Sequence, residues 1–165
     1  MEGAIGSSPV EKRIAVVTGG NKGIGLEVCR QLALNGVKVI LTARDEKRGM
    51  AAVEKLRESG LSDVVFHQLD VTDSSSITSL ARYIGARFGK LDILKVQDTD
   101  HGILNWMKEN FQQTYEMAEE CLKTNYHGVK DVTEALLPHL LSSHSGTIVN
   151  VSSTVGQLQV TNYSY

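Results

Sequence analysis

The glycine-rich segment at residues 18–25, with the sequence TGGNKGIG, constrains the fold more than any other feature of the chain. It follows an apolar run at residues 14–17 and opens a segment in which Ile24, Val28 and Leu32 recur at helical spacing. Strand, glycine turn and helix in this order can hold a dinucleotide pyrophosphate, because glycines let the backbone approach the phosphates and the helix start supplies free N–H groups. The candidate binding residues at this turn are Gly19, Asn21, Lys22, Gly23, Ile24 and Gly25.

A basic residue, Arg44, ends the next apolar run at residues 37–43. In dinucleotide-binding folds an acidic residue at this point accepts hydrogen bonds from the ribose of NAD, whereas an arginine can fork onto a 2′-phosphate. Lys22 in the glycine turn adds a second positive charge. The alternative is that both are solvated surface charges. We predict from this pair that the cofactor is NADP(H).

Composition and charge exclude several classes of partner. The chain has 165 residues and a net charge of −2, which predicts one domain and gives no indication of nucleic acid or of an anionic membrane surface as a partner. No apolar stretch is long enough to span a bilayer. We expect residues 1–12 to form a mobile N-terminal arm and residues 13–165 to form the domain.

The two cysteines, Cys29 and Cys121, do not have the spacing of metal ligands, so no metal site is predicted. Both fall in predicted helices, where we expect them to be buried and without a role. Free thiols of this kind are typical of a reducing compartment, and we expect the protein to be cytoplasmic.

Apolar strands alternate with amphipathic helices along the rest of the chain. Residues 64–69 and 147–151 are predicted strands, and a further strand begins at residues 91–94. This alternation predicts an α/β fold, a doubly wound parallel sheet of the Rossmann type with helices on both faces. One face of the last long helix is predicted from Leu122, Tyr126, Val129, Val132, Leu136 and Leu140.

Four motifs give the chain its resemblance to a known family. The turn motif T-G-x-x-x-G-x-G is followed by Asp70-Val71 after the third strand, by Asn125 in the last helix, and by Ser153 in the segment NVSS. Together they resemble the short-chain dehydrogenase/reductase family, and the chain is most similar to its carbonyl-reductase-like plant branch, which includes the salutaridine and menthone reductases.

The resemblance implies an enzyme that transfers hydride between NADPH and a small-molecule carbonyl or alcohol, as a monomer or a homo-oligomer. It implies that Ser153 orients the carbonyl, that Asn125 supports a water-linked proton path, and that Asp70 and Val71 contact the adenine. The alternative from the residues alone is that Ser153 only closes the fifth strand and that Asn125 bonds to a neighbouring strand.

The sequence departs from the family pattern at two points. After Leu94 the family continues with Asn-Asn-Ala-Gly, whereas this chain has a segment that begins at Lys95 and carries two aspartates, so charge is expected where a close-packed turn normally lies. The family also places a tyrosine after its serine, with a lysine four residues later, whereas Tyr165 is the last residue here.

We therefore expect a truncated form that lacks the C-terminal strands and the active-site helix. Two function hypotheses follow: an NADP(H)-dependent carbonyl reductase in incomplete form, or an inactive form that at most binds the dinucleotide. A nucleotide-sugar epimerase is a third alternative. It is disfavoured because the sequence contains both Asn125 and Ser153, and both Lys22 and Arg44.

We predict no NADPH-dependent carbonyl reduction by the 165-residue chain alone. Loss of the general acid removes about 10²–10⁴-fold of rate from proton transfer. A panel of ketones and aldehydes with NADPH, followed at the nicotinamide absorbance, measures this. Turnover that is abolished by Tyr165→Phe would identify Tyr165 as the acid and contradict the prediction.

Overall fold

The computed structural model describes residues 11–97 and 115–151. Most of the expected N-terminal arm, the expected catalytic Ser153, and Tyr165 lie outside these residues. The expected domain boundary at residues 12 and 13 stays a prediction.

Five parallel strands form one sheet in the order β3-β2-β1-β4-β5. The strands are β1 (Ile14–Val17), β2 (Lys38–Ala43), β3 (Val64–Gln68), β4 (Ile93–Gln97) and β5 (Thr147–Val151). Strand order reverses between β1 and β4, which places the topological switch point of a doubly wound sheet there. The predicted α/β fold of the Rossmann type is confirmed.

Helices connect the strands and cover both faces of the sheet. They are α1 (Gly23–Leu34), α2 (Glu46–Glu58), α3 (Ser74–Arg87), α4 (Tyr115–Leu122) and α5 (Val129–Leu141), and a π-helical segment (Lys123–Gly128) joins α4 to α5. Asp45 and Asp73 cap α2 and α3, because their carboxylates accept the backbone N–H groups of Arg48 and Ser75.

Side chains that alternate along each strand divide the core into two layers. In β1, Val16 faces the layer covered by α3 and α5, whereas Val17 faces the layer covered by α1 and α2. Both side chains are fully buried. Burial of an aliphatic side chain of this size stabilises a fold by roughly 1.5–3 kcal/mol, so the near-continuous apolar strands account for much of the stability.

The buried face of α1 differs from the predicted one by one residue. Ile24, expected to pack inward, is 50% exposed, and the buried positions are Gly25, Cys29 and Ala33. The reason is size: these three residues let α1 lie close to the sheet, which larger side chains on the same face would prevent. The apolar spacing therefore predicted the helix, and Val28 and Leu32 pack against the core beside the buried residues, whereas Ile24 is exposed.

The long helix also differs from prediction at its first two apolar positions. Leu122 and Tyr126 are 58% and 61% exposed, whereas Val132 and Leu136 are fully buried. Tyr126 lies in the π-helical segment, which begins directly after Leu122 and has more residues per turn than an α-helix, so these two positions fall out of phase with the buried face of α5.

Lys95 lies within β4 and not in a turn beyond the strand. It pairs with Val17 of β1, its side chain points to the α1 layer, and it is only 3% exposed. Burial lowers the pKa of Lys95 to about 8. The expected charge is therefore accommodated inside the sheet. The two aspartates of the same segment lie outside the described residues.

A buried carboxylate ties the opposite end of the sheet together. Asp92 is 3% exposed and accepts hydrogen bonds from the Ile14 N–H at 2.7 Å and from the Ser143 hydroxyl at 2.6 Å. Burial alone would raise the pKa of Asp92, but the hydrogen bond from Ser143 and that from Ile14 bring it below its usual value. This carboxylate therefore links the start of β1 to the turn between α5 and β5.

β5 is at one edge of the sheet that the described residues form. Ile148 and Val149 point to opposite faces, and they are 40% and 44% exposed. The strand sequence TIVNV has no charge and no proline. Edge strands of natural proteins usually carry such features to block pairing with other chains.

We predict that the chain self-associates through β5. Val149→Lys should shift the protein toward the monomer, because a charge at an edge strand opposes pairing. Leu34→Lys is the matched control, since Leu34 is 56% exposed on α1. Size-exclusion chromatography with light scattering measures the mass. A monodisperse, cooperatively melting monomer of the unmodified chain would contradict the prediction.

A second prediction concerns Lys95. Its pKa falls from 10.5 to about 8 on folding, so Lys95→Met should raise the free energy of unfolding at pH 7 by on the order of 3 kcal/mol. The unfolded chain binds the proton more tightly. The stability of the unmodified protein should therefore rise between about pH 8 and pH 10.5, and the advantage of methionine should shrink there.

Urea unfolding at pH 7 and at pH 9.5 measures both effects. Lys38→Met is the control, because Lys38 is a strand lysine whose side chain is 27% exposed. The explanation fails if Lys95→Met gives no gain at pH 7, or a gain that is the same at both pH values.

Candidate cofactor site

A cavity of about 360 Å³ lies at the carboxyl ends of the strands, beside the switch point between β1 and β4. This is the position at which open α/β sheets bind their ligands. Its walls are the glycine turn, the end of β2 with the start of α2, the segment after β3, and the junction of α4 with the π-helical segment.

The glycine turn is held by backbone hydrogen bonds to both neighbouring strands. The Thr18 N–H donates to the Lys95 carbonyl at 3.0 Å, and the Gly20 N–H donates to the Thr42 carbonyl at 2.9 Å. A β-carbon on Gly25 would overlap the Gly19 carbonyl oxygen. The absence of a side chain at Gly25 is therefore what lets α1 begin directly above the turn.

Three cationic side chains line the cavity. Lys22 and Arg44 were predicted from the sequence, and Arg48 joins them from the first turn of α2. Arg48 also lies 3.9 Å from a carboxylate oxygen of Asp45, an exposed pair that contributes little to stability. Sequence reasoning missed Arg48, although its position four residues after Arg44 was a usable signal.

The carboxylate of Asp70 also lines the cavity, next to Val71. Burial would raise the pKa of Asp70, but two hydrogen bonds from Thr72 lower it. The positive charges of Arg44 and Lys123 lower it further, and the net shift is downward. Asp70 is therefore a carboxylate at neutral pH and is available as a hydrogen-bond acceptor.

Asn125 lies on the π-helical segment and lines the same cavity. Its amide nitrogen donates to the Cys121 sulfur at 3.2 Å, so its partner is in the same helix and not on a neighbouring strand. Its amide oxygen is buried and has no hydrogen-bond partner in the described part of the chain. π-Helical turns are frequent at functional sites, and this one places an acceptor inside the cavity wall.

The cysteines differ from the prediction that both are buried. Cys29 is buried, and burial raises the pKa of its thiol to about 12. Cys121, in the last turn of α4, is exposed and lines the cavity. No sequence signal distinguished the two.

The structure brings most of the predicted binding residues to this one cavity. Gly23 and Ile24 are exposed at the start of α1, and Gly25 is buried beneath the turn, so these three shape the site without lining it. No cluster of metal-binding side chains occurs within residues 11–97 and 115–151. The predicted site residues that line the cavity are Gly19, Asn21, Lys22, Arg44, Asp70, Val71 and Asn125.

A tyrosine and a lysine with the spacing of the family's catalytic pair also occur at Tyr126 and Lys130. They do not line the cavity: Tyr126 is 61% exposed, and the Lys130 ammonium lies 3.7 Å from Glu134. This spacing is therefore no substitute for the pair that the family places after its serine.

None of the helices in the described residues could cross a membrane.

We predict that Gly25→Ala abolishes dinucleotide binding and lowers the melting temperature, because the new methyl group must displace the backbone of the turn. Gly23→Asn is the contrast. A β-carbon at Gly23 meets nothing within 4 Å, and asparagine tolerates its positive φ of 54°. Calorimetric titration with NADP⁺ and thermal unfolding measure both variants. Equal losses in the two would contradict the role given to Gly25.

Comparison with known proteins agrees with the geometry. Salutaridine reductase of Papaver bracteatum is 50% identical over 174 residues, which include 89% of this chain and 56% of that protein. The solved structure of salutaridine reductase from Papaver somniferum has a TM-score of 0.77 at 46% identity, covering 88% of this chain and 59% of the other. Carbonyl reductase (NADPH) 1 of Oryctolagus cuniculus is 40% identical over 146 residues, covering 88% of this chain and 50% of that protein.

The chain spans about half the length of these relatives. The alignment with the Papaver bracteatum protein is longer than the chain itself, so that relative carries residues within the matched region that this chain lacks. The family described as short chain dehydrogenase matches residues 13–165. This protein belongs to the short chain dehydrogenase family, on the branch that contains the salutaridine reductases.

Proposed function

We propose that the cavity binds NADP(H) and that the chain belongs to an enzyme that reduces a carbonyl to an alcohol by hydride transfer. The observation that carries the cofactor assignment is the group of three cations, Lys22, Arg44 and Arg48, around a cavity that begins at the glycine turn. A 2′-phosphate is the part of NADP(H) that NAD(H) lacks, and arginine binds phosphate through paired hydrogen bonds.

The remaining walls fit the other parts of a dinucleotide. The glycine turn and the N-terminus of α1 suit the pyrophosphate, because they combine close backbone approach with the positive end of a helix dipole. Asp70 and Val71 supply an acceptor and an apolar surface for the adenine. Bound there, the cofactor supplies the hydride, and the residues of the chain bind and orient it.

The reaction class comes from the family and from what its members are named. Relatives that cover almost nine-tenths of this chain are named reductases, one of them with NADPH. We assign Asn125 to the support of proton transfer, since its buried amide oxygen accepts no hydrogen bond from the described residues. Ser153 is assigned to carbonyl orientation on the family motif alone.

A second candidate function is dinucleotide binding without turnover. It is favoured by the segment that begins at Lys95, which replaces the Asn-Asn-Ala-Gly of the family pattern. In both cases the small-molecule carbonyl or alcohol is the substrate of the complete enzyme, and the cytoplasm is the expected compartment.

We predict that NADP⁺ binds more tightly than NAD⁺ and that Arg44 and Arg48 cause the difference. Each charge-assisted hydrogen bond is worth roughly 1.5–3 kcal/mol, so Arg44→Asp should weaken NADP⁺ binding by about ten- to a hundredfold and leave NAD⁺ binding nearly unchanged. Arg48→Asp should act in the same direction. Calorimetric titration of both cofactors measures the affinities.

The matched control is Arg82→Asp, which makes the same charge change at an exposed position on α3. It should leave the affinities for both cofactors unchanged. If the unmodified chain binds NADP⁺ and NAD⁺ equally well, the assignment of NADP(H) is wrong.

A further inference from the structure

Lys95 lies in the sheet directly next to the start of the glycine turn. It pairs with Val17, the last residue of β1, and its carbonyl accepts the N–H of Thr18, the first residue of the glycine turn. Lys95 therefore lies at the carboxyl end of the sheet, one residue below the turn. It is also at the switch point, where the strand order of the sheet reverses between β1 and β4.

The side chain of Lys95 lies on the same face of the sheet as α1. Its neighbours Leu94 and Val96 belong to the opposite core layer, so Lys95 points toward Cys29 of α1. The Cys29 sulfur in turn lies against Gly20, 3.0 Å from where a β-carbon on that glycine would be. The side chain of Lys95 therefore belongs to the same buried layer as Cys29, which packs against the turn that we assign to the pyrophosphate.

We propose that Lys95 is a buried cation of the dinucleotide site, which attracts the pyrophosphate through the floor of the glycine turn and takes up a proton when the dinucleotide binds. The inference rests on the proposed binding of NADP(H). Lys95 acts through space and not by contact, because it does not line the cavity. Electrostatic attraction across a buried, poorly solvated layer is stronger than the same attraction in water.

Three described residues lie next to Lys95. Val17 and Val149 flank it in the sheet, and Cys29 faces it from α1. The thiol of Cys29 stays protonated at neutral pH, since burial raises its pKa to about 12. Lys95 itself titrates with a pKa of about 8. A nearby phosphate favours its charged form and raises that value, so the bound protein holds more protons than the free protein.

The test is calorimetric titration with NADP⁺ at pH 8.5 in two buffers of different ionisation enthalpy, Tris and EPPS. Cys121 is an ionisable group that lines the cavity, so every protein carries Cys121→Ser. A rise of one pKa unit at Lys95 on binding predicts an uptake of about half a proton at this pH and about a tenfold contribution to affinity at pH 7. The affinity should fall as the pH rises from 8 to 10.

Three variants separate the role of Lys95 from a structural effect. Lys95→Met should lose the proton uptake and weaken NADP⁺ binding about tenfold at pH 7, although it stabilises the fold. Lys95→Arg should restore affinity without proton uptake, because arginine remains charged throughout this range. Lys38→Met, at the opposite end of the sheet, should match the unmodified chain.

The heats distinguish the possible failures. Binding of NADP⁺ with no dependence on the buffer, or with the same dependence in Lys95→Met, would overturn the role of Lys95 and leave the proposed cofactor intact. No binding of NADP⁺ by the unmodified chain would overturn the proposed function, and this inference with it.

Discussion

The close approach of α1 to the glycine turn is the constraint on which the site depends. Gly25 lies against the Gly19 carbonyl oxygen, where no β-carbon fits. Because Gly25, Cys29 and Ala33 are small, the helix lies low on the sheet and its N-terminus opens onto the switch point. The same approach buries Cys29 above Lys95. One packing requirement thus sets the position of the phosphate-binding backbone and the surroundings of the buried charge.

The two buried charged residues in and next to β4, Asp92 and Lys95, differ in how the fold affects their charged forms. Asp92, at the amino end of the sheet, is compensated within the fold by hydrogen bonds from Ile14 and Ser143, so it stabilises the junction of three elements. Lys95, at the carboxyl end, has a pKa that burial lowers to about 8, so the fold disfavours its charged form relative to water. The charge lies at the end of the sheet where an anionic ligand is expected, which is the arrangement that a binding role requires.

The sequence predicts the order and type of the elements and most of the cavity lining, because strands that are buried on both faces and a glycine turn leave strong local signals. It does not predict which residues of each apolar helix face are buried. Ile24 and Tyr126 share a predicted face with residues that pack on the core, but both are exposed, because small residues bring α1 close to the sheet and Tyr126 lies in a π-helical turn before α5. Cys121 joins the site through the tertiary arrangement, and Lys95 is buried because β4 extends past Leu94, which its charged sequence did not indicate.

The central claim is that the cations at the end of β2 hold a 2′-phosphate. Phosphorus NMR of NADP⁺ titrated with the protein tests it most directly, because the 2′-phosphate has its own resonance and its own pKa. The account predicts that this resonance shifts on binding, that its pKa falls, and that Arg44→Asp removes both effects. A 2′-phosphate that keeps its free shift and pKa while NADP⁺ is bound would contradict the account.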